Sequence, residues 1–152
     1  MVGKRKALRS ELTEKILTAA IARVEKHGLA ELKARDITKD AGCALGTLYK
    51  CYADLDDLII HVNSATLRLL REIMEEAASN ESDPARRLKA LAFAYLDFAL
   101  THRHRWEALF GHRLPEGMNT PEWHRQENIA LLAHIANALR ELEPSLTKAK
   151  LE

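Results

Sequence analysis

The clearest structural pattern in this chain lies in Gly28-Leu-Ala-Glu-Leu-Lys-Ala-Arg-Asp-Ile-Thr-Lys-Asp-Ala-Gly-Cys-Ala-Leu-Gly-Thr-Leu-Tyr-Lys-Cys-Tyr52. Gly42 interrupts this stretch, and it predicts a tight turn between two short helices at residues 33–40 and 45–51. Ile37 and Ala41 on the first helix, and Leu48 and Tyr52 on the second, fall where one face can pack inward. We therefore expect two short helices around a glycine turn, the second with a buried back and a free front.

The rest of the chain also reads as helical. Leu12, Ile16, Ala20 and Val24 recur every fourth residue and predict a first helix that opens near Ser10 and ends at Gly28. Asp54 and Asp83 are placed to cap two later helices. These and the remaining helices are predicted at residues 55–78, 84–102, 105–110 and 121–143. The long helix should bury Leu55, Leu58, Ile59, Val62, Thr66, Leu69, Ile73 and Ala77.

Composition agrees with an all-α protein that has a basic front end. The chain has 152 residues, of which 47% are hydrophobic and 30% are charged, and no stretch alternates as a strand would. Residues 1–50 carry 11 Lys and Arg against 6 Asp and Glu, whereas residues 51–82 carry 2 against 7. This asymmetry favours one end that faces a polyanion, although a solvated charged surface would give the same count.

The helix at 45–51 has the chemistry of a helix that enters the major groove of DNA. Small residues at its start, Ala44 and Gly46, let the backbone approach the duplex, while Thr47, Tyr49 and Lys50 can donate to phosphate oxygens. The free amides at the start of the helix add a further site for a phosphate. The pattern therefore predicts a helix–turn–helix DNA-binding element.

This front third resembles the DNA-binding domain of the TetR/AcrR family of transcriptional regulators. The resemblance is carried by Ile16-Leu17-x-Ala19-Ala20, Val24, Gly28, Asp36-Ile37, Ala41-Gly42, Gly46-Thr47-Leu48-Tyr49, Tyr52 and Leu58. A looser similarity to the ligand domain of one branch of that family covers Tyr95-Leu-Asp-Phe98-Ala99-Leu100 and Arg105-Trp106-x-x-Leu109-Phe110-Gly111.

The resemblance implies an all-α homodimer. Residues 1–54 would form the basic arm and the DNA-binding domain, and residues 55–152 the linking helix and an effector-binding and dimerisation domain. An effector would shift the linking helix and move the two recognition helices out of register with a pseudo-palindromic operator. Family members usually end with two further helices that form the dimer interface, so either this chain is short at its C-terminus or the 121–143 helix takes over dimerisation.

The predicted DNA contacts form three groups. Leu45 and Gly46 approach base edges, Lys33 and Arg35 hold the flanking backbone, and the basic arm either tracks the duplex or only solubilises the chain. The full set is Lys4, Arg5, Lys6, Lys33, Arg35, Ala44, Leu45, Gly46, Thr47, Tyr49 and Lys50.

Four positions depart from the family pattern. Leu32 stands where a threonine is usual, Ala44 replaces a capping serine, Leu45 replaces a Lys or Arg, and Leu55 replaces a lysine. These losses weaken phosphate anchoring, although Leu45 could touch a thymine methyl instead. They motivate an alternative function, an effector-binding or dimer-forming regulator that no longer reads DNA.

Aromatic side chains in the second half are candidates for the effector site. Such pockets are apolar with few polar groups, so a small apolar or amphipathic effector is expected, with core packing as the alternative role. The candidates are Phe93, Phe98, Trp106, Phe110 and Trp123.

Other classes of function lack their signatures. No nucleophile has a base arranged nearby and no phosphate-binding glycine loop occurs, so we expect neither an enzyme nor a cofactor. His102 and His104 lack the helical spacing and neighbours of a metal site. Cys43 and Cys51 do not form a disulfide framework. With no signal peptide and no apolar run of membrane length, we expect a cytoplasmic protein.

Overall fold

The structure of this protein is a computed structural model that describes residues 2–145, with side chains described from residue 6 onward. Within those residues every regular element is a helix, which confirms the all-α fold. The helices are α1 (Val2–His27), α2 (Ala34–Asp40), α3 (Leu45–Cys51), α4 (Leu55–Ser79), α5 (Pro84–Thr101), α6 (Arg103–Gly111) and α7 (Glu122–Leu142), with a 3-10 turn at Leu29–Glu31.

The first of two compact units comprises residues 1–63 and 102–119. In this unit α1 packs against α2, α3 and α6. The predicted four-residue spacing on α1 is confirmed, because Ile16, Ala20 and Val24 are completely buried. They share one apolar core with side chains from the 3-10 segment, α2, α3, α4 and α6: Leu32, Ile37, Leu48, Tyr52, Leu58, Ile59, Val62 and Ala108.

The second compact unit comprises residues 64–101 and 120–152, and its described part ends at residue 145. Here α5 packs against α7. Its buried apolar side chains are Leu67, Leu70, Met74, Leu91, Phe98, Leu131 and Ala138. These units are not continuous in sequence, so the predicted domain boundary between residues 54 and 55 remains a prediction.

Glycine and aspartate residues end and start the helices as expected. Gly28 ends α1 with φ at 78°, and its N–H donates to the Val24 carbonyl at 2.9 Å. The Asp57 N–H donates to Asp54 Oδ1 at 2.7 Å at the start of α4, and the Arg86 N–H donates to Asp83 Oδ2 at 2.9 Å at the start of α5. These bonds satisfy amide groups that a helix N-terminus leaves without partners.

Three local predictions were wrong. Helix α1 begins at Val2 rather than near Ser10, because residues 4–9 are mostly Lys, Arg, Ala and Leu, which favour a helix. Helix α6 extends over Arg103–Gly111 instead of 105–110. In the second half of α4 the buried residues include Leu67, Leu70 and Met74, while the predicted Leu69, Ile73 and Ala77 are half-buried. This half of α4 is buried over a broad face, and a single four-residue stripe does not describe it.

Candidate nucleic-acid interface

The turn between α2 and α3 depends on a backbone conformation that favours glycine. Gly42 has φ at 66°, in the left-handed region that side chains rarely adopt. The next N–H, of Cys43, donates to the Thr38 carbonyl at 2.9 Å, and the Gly42 N–H donates to the Lys39 carbonyl at 3.2 Å. The turn is therefore closed by backbone bonds, and it fixes the direction in which α3 leaves α2.

The back of α3 is anchored in the core of the first unit. Leu48 is completely buried, and Tyr52, which follows the helix, is 3% exposed. The Tyr52 hydroxyl donates to the Thr13 carbonyl of α1 at 3.0 Å. Burial, with smaller effects of Cys51 and Asp57, raises the pKa of Tyr52 to about 12. The predicted anchoring roles of Leu48 and Tyr52 are thus confirmed by their burial.

The front of α3 lies open. Ala44, Gly46 and Lys50 are exposed, and Thr47 is half-buried. Leu45 is 36% exposed and Tyr49 is 51% exposed. Ala44 makes no side-chain bond to the helix start. The predicted contact residues of α3 are therefore accessible together, on a helix whose opposite face is buried.

The predicted flanking contacts are also accessible. Lys33 stands at the N-cap position of α2 and Arg35 lies in its first turn, and both are exposed. Lys33 Nζ lies 3.8 Å from Glu31 Oε2, but both side chains are 67% exposed, so this ion pair holds Lys33 only weakly. Lys6 is exposed on α1. The side chains of Lys4 and Arg5 lie outside the described residues.

An ion pair that sequence analysis did not predict ties α1 to α2. Arg23 Nε lies 2.6 Å from Asp40 Oδ2, and Arg23 Nη1 lies 3.6 Å from Asp36 Oδ2. The hydrogen bond from Arg23 lowers the pKa of Asp40, and the same bond raises the pKa of Arg23. No spacing rule links positions 23 and 40, because α1 and α2 meet only through the tertiary fold.

The predicted effector residues occupy different environments. Phe98 is 1% exposed and is a core residue of the second unit, where Phe93 and Trp123 are 61% and 41% exposed. Trp106 and Phe110 pack together in the first unit, with ring centroids 5.0 Å apart and planes inclined at 56°. Phe110 is nevertheless 63% exposed. The burial of Phe98 favours the core-packing alternative for that residue, and a role in effector binding remains a prediction for all five.

The histidines of the second half of the chain bond to protein groups. His102 Nδ1 lies 3.0 Å from Glu25 Oε1, His112 Nε2 lies 2.8 Å from Asp56 Oδ1, and His134 Nε2 lies 2.9 Å from Glu75 Oε1. His104 and His124 bond to the Glu25 carbonyl and the Ser64 hydroxyl. Among the described residues no group of three or more His, Cys, Asp or Glu could hold a metal ion.

The cysteines and the helices give two further observations. Cys43 and Cys51 are free and half-buried, and burial raises the pKa of the Cys43 thiol. Over residues 2–145, none of the helices combines the length and the apolar character that a bilayer crossing requires.

One family model matches part of the chain. Residues 88–151 match the family model described as "Tetracyclin repressor-like, C-terminal domain". No curated protein matches the chain.

Solved structures share its fold. A protein with unknown function from Rhodococcus sp. RHA1 is 24% identical, with a TM-score of 0.75 over 88% of this chain and 69% of its own. A TetR family transcription regulator from Marinobacter aquaeolei VT8 is 18% identical, with a TM-score of 0.68 over 92% of this chain and 72% of its own. A TetR-family transcriptional regulator from Bordetella parapertussis 12822 is 19% identical, with a TM-score of 0.64 over 91% and 73%.

Proposed function

We propose that this chain is a transcription regulator of the TetR family, a ligand-responsive repressor that binds a pseudo-palindromic DNA operator as a homodimer. One observation carries the DNA-binding part of this proposal. Helix α3 buries Leu48 completely while Tyr49 on the next position is 51% exposed, beside the exposed Lys50. A helix that is anchored on one side and free on the other can enter a major groove without distorting its own domain.

Each accessible residue has a chemical role in this proposal. The Thr47 and Tyr49 hydroxyls and the Lys50 ammonium donate to phosphate oxygens and set the register of α3. Leu45 and Gly46 approach base edges, where the Leu45 side chain suits the methyl group of thymine. Lys33 and Arg35 hold the flanking backbone, and Ala44 allows close approach. Lys4, Arg5 and Lys6 contribute charge from the start of α1.

A gel-shift titration tests these roles. We expect Tyr49→Ala, and separately Lys4, Arg5 and Lys6 all changed to Ala, to weaken binding to every duplex, because both variants remove contacts to the backbone rather than to bases. Each lost phosphate contact should also reduce the dependence of binding on salt. Glu11→Ala is the matched control, since it changes an exposed acid of α1 that pairs with Lys15 in the next turn. Unchanged affinity in both variants would contradict the proposed roles.

The second unit supplies the proposed dimer surface. Helix α5 exposes Phe93, Leu96 and Leu100, by 61%, 56% and 81%, and α7 exposes Ile129 and Leu132, by 55% and 54%. Large apolar side chains exposed in this number on two helices that pack together are typical of an interaction site. A second copy of the chain is the occupant we propose, since Ile129 and Leu132 lie three residues apart on α7 and so share a helix face that can pack against another helix.

The proposed effector is a small apolar or amphipathic molecule, bound by residues among Phe93, Phe98, Trp106, Phe110 and Trp123. The proposal includes no catalytic activity, and a DNA-binding role would place the protein in the cytoplasm. An effector-binding or dimer-forming regulator without DNA binding is the second candidate, favoured by the apolar Leu45 and the uncapped Ala44 on α3. Salt-dependent binding to any duplex distinguishes the two.

A further inference from the structure

Arg9 of α1 reaches across to the end of α3. Its Nη2 donates to the Lys50 carbonyl oxygen at 2.7 Å, a contact between residues 41 positions apart in sequence. From this contact and its surroundings we infer that Arg9 is a positioning residue for the DNA-facing helix, which holds the last turn of α3 in place instead of binding a phosphate itself. The inference rests on the proposed DNA-binding function and extends it to a residue outside the predicted contact set.

Helix α3 needs such a contact because it is short. It has 7 residues, Leu45–Cys51, and isolated helices of fewer than about 12 residues are marginal in water. Its N-cap residue, Ala44, makes no side-chain bond. Of the carbonyls at its C-terminal end, that of Leu48 accepts the Tyr52 N–H at 2.8 Å. The Arg9 guanidinium satisfies the Lys50 carbonyl and places a cation at the negative end of the helix dipole.

The apolar core of the first unit does not extend to the region where the start of α1 lies beside the end of α3. On α1, Ile16 is completely buried, Leu12 is half-buried and Leu8 is 57% exposed. An open groove of about 400 Å³ lies there, lined by Leu8, Arg9, Leu12, Thr47, Lys50 and Cys51. The Arg9 bond crosses the region where the core has ended. It works together with the Tyr52–Thr13 bond, one turn further along α1.

The Arg9 contact should affect sequence-specific DNA binding and non-specific DNA binding to different degrees. Lys50 and Tyr49 lie in the turn that Arg9 holds, so their side chains keep a fixed direction while that turn is intact. Base-specific recognition requires fixed geometry, whereas non-specific binding depends mainly on charge. Loss of the Arg9 contact should therefore reduce binding to a selected sequence more than binding to random DNA.

Hydrogen exchange on the full chain without DNA tests the holding role itself. In Arg9→Met, which keeps an unbranched stem in the groove, we expect the α3 amides to exchange about fivefold faster, the equivalent of one lost hydrogen bond of ~1 kcal/mol. The matched control Lys6→Met changes another exposed cation of α1 and should leave α3 exchange at the wild-type rate. Equal protection of α3 in Arg9→Met and wild type would overturn the inference.

Binding titrations at several salt concentrations test the consequence. The probes are a random-sequence duplex and a duplex recovered by selection from a random library. We expect Arg9→Met to lower the ratio of selected to random affinity about fivefold, with the salt slope unchanged. Lys6→Met should reduce the slope by about 0.9 and leave the ratio unchanged, as a lost phosphate contact would.

Two other outcomes of these experiments would each lead to a specific conclusion. A slope in Arg9→Met that falls as in Lys6→Met would show a phosphate contact and overturn the positioning role. A wild-type chain that binds no duplex would overturn the proposed function, and the exchange experiment would still decide whether Arg9 holds α3.

Discussion

The two compact units differ in the apolar side chains that their helices bury and leave exposed. In the first unit, Ile16, Ile37, Leu48 and Leu58 are all completely buried in one core that draws on α1, α2, α3 and α4. In the second unit, α5 alone leaves three large apolar side chains more than half exposed. The first unit thus has one continuous apolar core, whereas α5 and α7 of the second unit carry large apolar side chains that the described residues leave exposed.

The largest expected effect is a difference in the free energy of unfolding between alanine variants of one leucine from each unit. Leu58→Ala removes a completely buried side chain from the first core and should lower the free energy of unfolding by about 2–5 kcal/mol. Leu96→Ala removes a side chain that is 56% exposed and should change it by less than about 0.5 kcal/mol in a dilute monomer. Urea unfolding followed by circular dichroism measures both. Equal losses of unfolding free energy would show that the two leucines are covered to the same degree in their units.

The next prediction concerns the exposed surface of the second unit. A charge at Ile129 or Leu132, introduced as Ile129→Glu or Leu132→Glu, would have to be buried in the proposed dimer. We expect the dissociation constant of the homodimer to rise roughly tenfold to hundredfold, measured by sedimentation equilibrium. Asn137→Glu, an exposed polar position of α7, serves as the control and should change little. A wild-type chain that stays monomeric, or variants that associate as it does, would contradict the proposed surface.

Two substitutions at helix N-caps should change the free energy of unfolding by smaller amounts and in opposite directions. Asp54→Ala removes the 2.7 Å bond to the Asp57 N–H at the start of α4 and should cost about 1 kcal/mol of stability. Ala44→Ser adds a hydroxyl at a position that lacks one, with φ and ψ of −75° and 150° already suited to an N-cap. It should stabilise the chain by about 0.5–1 kcal/mol. Chemical unfolding of both variants provides the test, and a destabilising Ala44→Ser would show that α3 starts differently.

A pH effect of modest size should come from Tyr52. Its pKa is raised from 10 to about 12 because the folded chain buries the neutral phenol. Between these values the unfolded chain has lost the proton while the folded chain retains it, so stability is complete below pH 10 and falls as pH rises toward 12. Tyr52→Phe should be less stable at neutral pH but should lose less stability over that range. Unfolding curves across the range measure the difference, and parallel losses in both proteins would rule out Tyr52 as the source.

The sequence was most informative where local chemistry decides the structure. The Gly42 turn, the bounds of α3 and the Asp54 and Asp83 caps depend on neighbouring residues, and all were predicted. Contacts between distant segments had no such signal. Arg9 meets the Lys50 carbonyl, and Arg23 meets Asp40, only after α1 has packed against α2 and α3. The burial of Leu67 and Met74 was not predicted for a related reason, since the neighbouring helices determine which faces α4 buries.

DNA binding through α3 is tested most directly by the salt dependence of duplex binding for the wild-type chain and for a variant with Thr47, Tyr49 and Lys50 all changed to alanine. Tyr49 and Lys50 are exposed and Thr47 is half-buried outside the core, so their loss should leave the fold intact, as circular dichroism would verify. The proposed role of α3 predicts that the wild-type chain binds duplex DNA with an affinity that falls steeply as salt rises, and that the variant binds more weakly with a shallower slope. Wild-type binding that is absent or independent of salt, or a variant with the wild-type affinity and slope, would contradict it.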